Sequence, residues 1–224
     1  MSSALDGLEI ETADSPQWSV VWLHGLGADG NDFAPIVPEL VRPHWPALRF
    51  VFPHAPVRPI TINNGVRMRG WYDIASFDFA DRADRQGVLE SVAQVEALIE
   101  REAARGIGPE RLLLAGFSQG GAVTLAAGLR RQVPLAGLIG LSTYLPDLAH
   151  AAEHLVAGAQ RQPLFMAHGG SDPVIPLVHA RNSAEQLQQL GFEVEWHQYP
   201  MAHQVCAEEI ADLAAWMDRR FAAA

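Results

Sequence analysis

Between an apolar run, Arg111-Leu112-Leu113-Leu114-Ala115, and a helical pattern over Ala122 to Leu129 stands Gly116-Phe117-Ser118-Gln119-Gly120-Gly121. A serine with glycine two residues before and two after it, where a strand turns at once into a helix, is the G-x-S-x-G arrangement in the context that gives it meaning. Strand and helix approach so closely there that Cβ atoms at the glycine positions would collide, and the turn pushes the serine outward. A hydroxyl so presented can attack an acyl carbonyl. The same turn aims the first free N–H groups of a helix at the reacting centre, which makes the Gln119 amide a candidate donor to a developing oxyanion. The plain alternative is a Gly-rich turn that merely packs helix on strand.

A second donor is expected from His24-Gly25-Leu26-Gly27-Ala28-Asp29-Gly30, a glycine-rich loop after the strand Trp18 to Leu23. Hydrolases of this architecture bring a second backbone N–H to the oxyanion from that position, and Leu26 is the candidate. A dinucleotide-binding loop would need an acidic residue at the end of the second strand, but Phe52 is followed by Pro53 and His54.

A serine needs an imidazole to take its proton and a carboxylate to hold that imidazole in one tautomer. In the chain order Ser, acid, His, the base must follow both, and of nine histidines His203, in the loop Tyr199-Pro200-Met201-Ala202-His203, leads. His168, at a strand end, is its rival. Asp172, in His168-Gly169-Gly170-Ser171-Asp172-Pro173, is the candidate acid, with a local Asx-turn as its plain reading and Asp147 as the alternate. Asp73 reads as structural.

These residues need a scaffold that gathers strand ends. Strand patterns at Trp18 to Leu23, Leu48 to Phe52, Arg111 to Ala115, Leu135 to Leu141, Leu164 to His168 and Phe192 to Tyr199 alternate with helical patterns at Gln86 to Arg105, Gln119 to Arg130, Leu177 to Leu190 and Val205 to Phe221. That alternation predicts an α/β fold with a mostly parallel sheet covered by helices on both faces. A strand around Leu8 to Thr12 is expected at the sheet edge. The stretch Pro53 to Ala83 reads as a long surface excursion with turns. No linker or repeat divides the 224 residues, so one domain over 1–224 is expected, without a large lid.

Composition removes other chemistries. Sixteen basic against 26 acidic residues give −10, which disfavours nucleic acid and anionic lipid as partners. All of the basic residues are Arg, so a P-loop lysine, a pyridoxal Schiff base and a Ser-Lys dyad are excluded. One cysteine, Cys206, rules out an intrachain disulfide and fits a reducing compartment; with no signal segment or long apolar stretch, a cytoplasmic protein without stable membrane insertion is expected. His150-Ala151-Ala152-Glu153-His154 matches H-x-x-E-H, but no third ligand motif follows, and no metal or cofactor is expected. Cys206, three residues from His203, reads as packing, not as a nucleophile. Six tryptophans leave room for a self-association patch and a homodimer.

Taken in order, His24 to Gly30, Gly70-Trp71-Tyr72-Asp73, Gly116 to Gly121, His168 to Pro176 and Tyr199 to His203 resemble the phospholipase/carboxylesterase family of α/β-hydrolases, the small bacterial carboxylesterases and acyl-protein thioesterases. The resemblance implies Ser118 as nucleophile, Asp172 and His203 as its partners, Leu26 and Gln119 as oxyanion donors, and Trp71 as a lining of the acyl pocket, although Trp71 could equally be a core aromatic. Tyr144 and Leu145, after the strand Leu135 to Leu141, are further pocket-wall candidates. The implied activity is a serine carboxylesterase acting on small-molecule acyl esters of short to medium chain length through an acyl-enzyme, with acyl-protein thioesterase or lysophospholipase as alternatives. A binding module that keeps the fold without the chemistry, and a metallopeptidase, are the other classes weighed.

Overall fold

A computed structural model of the chain describes residues 5–76, 78–79 and 82–222. Its apolar runs pair into a seven-stranded sheet of β1 (Gly7–Glu11), β2 (Trp18–Leu23), β3 (Leu48–Pro53), β6 (Leu112–Phe117), β7 (Gly137–Leu141), β8 (Leu164–Gly169) and β9 (Val194–Tyr199), in the spatial order β1-β3-β2-β6-β7-β8-β9. Every neighbouring pair is parallel except β1 with β3. Strands β2, β3, β7 and β8 are buried at every position, which is why they are apolar with little alternation.

Helices cover both faces. On one, α2 (Arg85–Ala104), α3 (Gln119–Arg130) and α5 (Leu177–Gln189) bury Val88, Val92, Leu125, Leu129 and Leu187 against Val21, Leu112, Leu114 and Leu164. On the other, α1 (Ile36–Leu40) and α6 (Ala207–Ala222) bury Ile36, Leu40, Leu213 and Trp216 against Trp22, Phe50, Ile139 and Phe165. A short α4 (Ala151–His154) follows β7.

The edge strand forms at Gly7–Glu11 and runs antiparallel to β3. The stretch from Pro53 to Ala83 departs from the expected excursion. It holds a hairpin of β4 (Val57–Ile60) and β5 (Val66–Arg69), and Ile60, Trp71, Tyr72 and Ile74 are buried in the core beneath it. The hairpin turn runs through Asn64 at φ 54° and Gly65 at φ 74°, the left-handed pair that an Asn-Gly step supplies at low cost. Among the described residues no helix is long and apolar enough to cross a membrane.

Candidate active site

Ser118 joins β6 to α3 at φ 54°, ψ −119°. Such a backbone costs a non-glycine residue on the order of 1–3 kcal/mol and persists only where its surroundings enforce it. Here the Ser118 N–H donates to the Leu141 carbonyl at 2.9 Å, and its carbonyl accepts from Thr143 Oγ1 at 2.7 Å. A Cβ on Gly116 would lie 2.3 Å from the Gly120 carbonyl carbon, and one on Gly120 would lie 2.3 Å from the Leu23 oxygen. The two glycines are therefore a packing requirement of the turn that exposes the hydroxyl.

Three loops at the carboxyl ends of β6, β8 and β9 bring Ser118, Asp172 and His203 into one hydrogen-bonded chain. Ser118 Oγ donates to His203 Nε2 at 2.9 Å, and His203 Nδ1 donates to Asp172 Oδ2 at 2.7 Å. The other carboxylate oxygen, Oδ1, accepts the N–H groups of Val174 and Ile175 at 2.8 and 2.9 Å. That local turn is the Asx arrangement the sequence also allowed, and it aims the free oxygen at His203. The acid and histidine loops are tied to each other by backbone, Gly170 N–H to Tyr199 O at 2.8 Å and Ser171 N–H to Met201 O at 3.1 Å. Since a carboxylate can only accept, His203 carries its proton on Nδ1 and presents a bare Nε2 to the hydroxyl.

His168 lies behind this chain, wholly buried, with Nε2 donating to the Ile175 carbonyl at 2.8 Å and standing 3.5 Å from Asp172 Oδ2. Burial pushes its pKa down, so it stays a neutral brace for the acid's turn and does not reach Ser118 as a rival base. Asp147 is engaged elsewhere, holding His150 Nδ1 at 2.7 Å, His154 Nε2 at 2.9 Å and Arg85 at 3.0 Å. Both histidines of the H-x-x-E-H segment thus turn to one carboxylate. Asp73 accepts from the Thr61 backbone, and burial pushes the Cys206 thiol up, away from nucleophile character.

The N–H groups of Leu26 and Gln119 donate to no protein group among the described residues. Both flank the serine: a Cβ on Gly25 would sit 3.4 Å from Ser118 Cβ, and one on Gly70 would sit 3.0 Å from Leu26 Cδ1 and 3.5 Å from Gln119 Oε1. The loop is held by partners that sequence reasoning missed. His24, buried and kept neutral by desolvation, donates from Nδ1 to the Gly25 carbonyl at 2.7 Å and accepts the Ala55 N–H on Nε2 at 3.0 Å. Gly27 N–H donates to Arg69 O in β5 at 2.8 Å. The Gln119 side chain bridges the Trp71 N–H and the Tyr72 carbonyl, each at 2.8 Å. A histidine directly after a strand and a glutamine directly after a serine were the available signals, but their partners lie far away in sequence.

Trp71 is fully buried, its indole N–H donating to the His24 carbonyl at 2.9 Å. That makes it a core aromatic bracing the glycine loop, one of the two readings the sequence left open. One cavity, of about 600 Å³, is walled by Tyr144 and Leu145 with Phe79, His179, Arg85 and Asp147. The other, of about 440 Å³, is walled by His203 itself with Phe117, Phe33 and Val205.

A family model described as phospholipase/carboxylesterase matches residues 6–219. The chain is 32% identical to an acyl-protein thioesterase 1 of Cryptococcus neoformans over 97% of this chain and 98% of that one. It is 37% identical to an acyl-protein thioesterase 1 of Yarrowia lipolytica over 89% and 90%. The crystal structure of Arabidopsis thaliana SOBER1 superposes with a TM-score of 0.85 at 32% identity, covering 91% of this chain and 98% of the other. With that match along nearly its whole length, the chain belongs to the phospholipase/carboxylesterase family of α/β-hydrolases.

Proposed function

We propose that this protein is a serine hydrolase of small carboxylic acyl esters, in which Ser118 is the nucleophile, His203 the general base and Asp172 the residue that orients and stabilises the imidazole. The observation that carries the reading is the unbroken chain Ser118 Oγ–His203–Asp172, with links of 2.9 and 2.7 Å, beside two amides without protein acceptors. As Oγ bonds to the acyl carbon, His203 Nε2 takes its proton, and the carbonyl oxygen becomes an oxyanion facing the Leu26 and Gln119 N–H groups. Collapse breaks the bond to the leaving atom, which receives the proton. Water then repeats the cycle on the acyl-serine.

The cavity of about 600 Å³ beside Tyr144 is in the usual range for small-molecule sites. We assign it to the acyl half, and its bounded size is the reason for reading short to medium chains. Thioesters are a second reading, favoured by the names of the fungal relatives; a thioester presents the same carbonyl to the same groups.

Ser118→Ala is expected to abolish turnover of p-nitrophenyl butyrate and labelling by a fluorophosphonate, with circular dichroism unchanged. Residual labelling at wild-type rate in that variant would refute the assignment. Rates on p-nitrophenyl butyrate and an acyl thioester of the same chain length, at equal enzyme concentration, separate the two substrate readings.

A further inference from the structure

An ester has two halves, and the order of proton transfers fixes where each must lie. The proton that His203 Nε2 takes from Ser118 is returned to the leaving oxygen or sulfur as its bond to carbon breaks and the electron pair goes to that atom. The leaving half must therefore pass along the edge of the imidazole, while the acyl half points away from it. Given the serine-hydrolase reading, the cavity walled by His203 lies on the leaving-group side, and the acyl chain runs away from it.

The leaving-group cavity has a chemistry of its own. Its floor is aromatic: Phe117 lies 4.8 Å from the His203 ring and 5.3 Å from Phe33, and Phe33 in turn stacks on Trp22 at 5.2 Å. At its rim stand Asp32 and Glu39, both exposed. Among the described residues lining it, these two are the carboxylates, and no arginine joins them. The nearest arginine of that segment, Arg42, is held on the carbonyls of Glu39, Leu40 and Val41, the C-terminal end of α1. The Tyr144 cavity differs, since Asp147 there is matched by Arg85 and His150.

Aromatic faces and carboxylates together make an environment for an ammonium group, which gains from ring quadrupoles and from Coulomb attraction while remaining partly hydrated. We propose that the groove formed by Phe33, Phe117 and His203, rimmed by Asp32 and Glu39, binds the leaving half of the substrate and selects alcohols or thiols that carry a positive charge. The attraction acts through exposed carboxylates, so it is a preference of several-fold that salt weakens, not an absolute requirement.

The test compares butyrylthiocholine with S-(3,3-dimethylbutyl) thiobutyrate, which has the same acyl chain and a neutral carbon in place of the ammonium nitrogen. Release of free thiol reports both. The expected kcat/KM ratio favours the cationic substrate by about 3- to 10-fold at low salt and falls toward one as ionic strength rises to about 0.5 M. In the double variant Asp32→Asn/Glu39→Gln the ratio should also fall toward one, whereas Glu100→Gln/Glu110→Gln, with the same change in net charge on a distant surface, should keep it. A wild-type ratio at or below one at low salt would overturn the inference without any variant, as would a ratio unmoved in Asp32→Asn/Glu39→Gln. Equal turnover of both substrates leaves the serine mechanism standing; thiol release that persists in Ser118→Ala overturns that mechanism instead.

Discussion

At the residue scale the serine turn was legible because its demands are local. Gly116 and Gly120 are required by backbone contacts within one strand, one turn and one helix, and a fixed spacing carries that information. Asp172 and His203 were legible through chain order and loop position, since both follow a strand end. The roles of His24 and of the Gln119 side chain were not, because their partners, Ala55, Trp71 and Tyr72, lie about 31 to 48 residues away and no spacing rule connects them. Trp71 stayed between two readings for a related reason: an aromatic beside a site serves a wall or a brace equally well until its indole N–H is seen on the His24 carbonyl. The acid's role can be isolated. Asp172→Asn keeps the shape but offers an amide N–H or a weaker acceptor to His203 Nδ1, which favours the tautomer with its proton on Nε2 and removes the acceptor Ser118 needs. We expect kcat to fall about 10⁴-fold with little change in KM. A loss of less than tenfold with an unaltered melting temperature would show that the carboxylate does not set the tautomer.

At the element scale the parallel strands and the long helices followed from period and flanking glycines, and their ends moved by a few residues. The hairpin of β4 and β5 escaped because its strands are four residues each and carry Pro59, Arg58, Arg67 and Arg69, so neither alternation nor propensity marks them. The Asn63-Asn64-Gly65 turn was the one usable signal. On the proposed mechanism this hairpin bears on the chemistry, since Arg69 O accepts the Gly27 N–H at 2.8 Å and so braces the loop that holds Leu26. Gly65 has φ +74° with open space around it, as has Gly106 with φ +93° at the end of α2. A valine at either place costs about 1–2 kcal/mol through backbone strain alone. We expect Gly65→Val and Gly106→Val to lower the melting temperature alike, but only Gly65→Val to reduce kcat, by up to about tenfold, the equivalent of ~1.4 kcal/mol at the barrier. Equal kcat values in the two variants would mean that the hairpin does not set the oxyanion loop.

For the whole molecule, the alternation of strand and helix foretold the layered sheet, yet it could not say which carboxylates end up inside. Two do so in opposite ways. Glu102 at the end of α2 has no exposed surface, and it is matched by Arg49 at 3.0 Å, Arg105 at 2.9 Å and Ser19 at 3.1 Å. Glu209, in the first turn of α6, is equally inaccessible, and no cation or side-chain donor meets its carboxylate oxygens. Both positions read as polar stripes of amphipathic helices, and only the packing of α6 onto the strands distinguishes them. Burial pushes the Glu209 pKa from an ordinary 4.5 to about 8, offset only in part by the Cys206 backbone. The native state therefore holds a proton that the unfolded chain releases between those two values, so this residue's contribution to unfolding free energy falls as pH climbs through that window and is level above it. Glu209→Gln removes the titration while keeping the shape. Other groups also titrate there, among them His24 and His168, whose depressed pKa values act in the opposite sense, so the quantity to read is the difference between variant and wild type. Urea midpoints taken from about pH 5 to pH 8.5 should show Glu209→Gln gaining on the wild type steadily as pH rises. Parallel midpoint curves would mean that Glu209 is charged in the native fold at neutral pH and has found a partner or solvent.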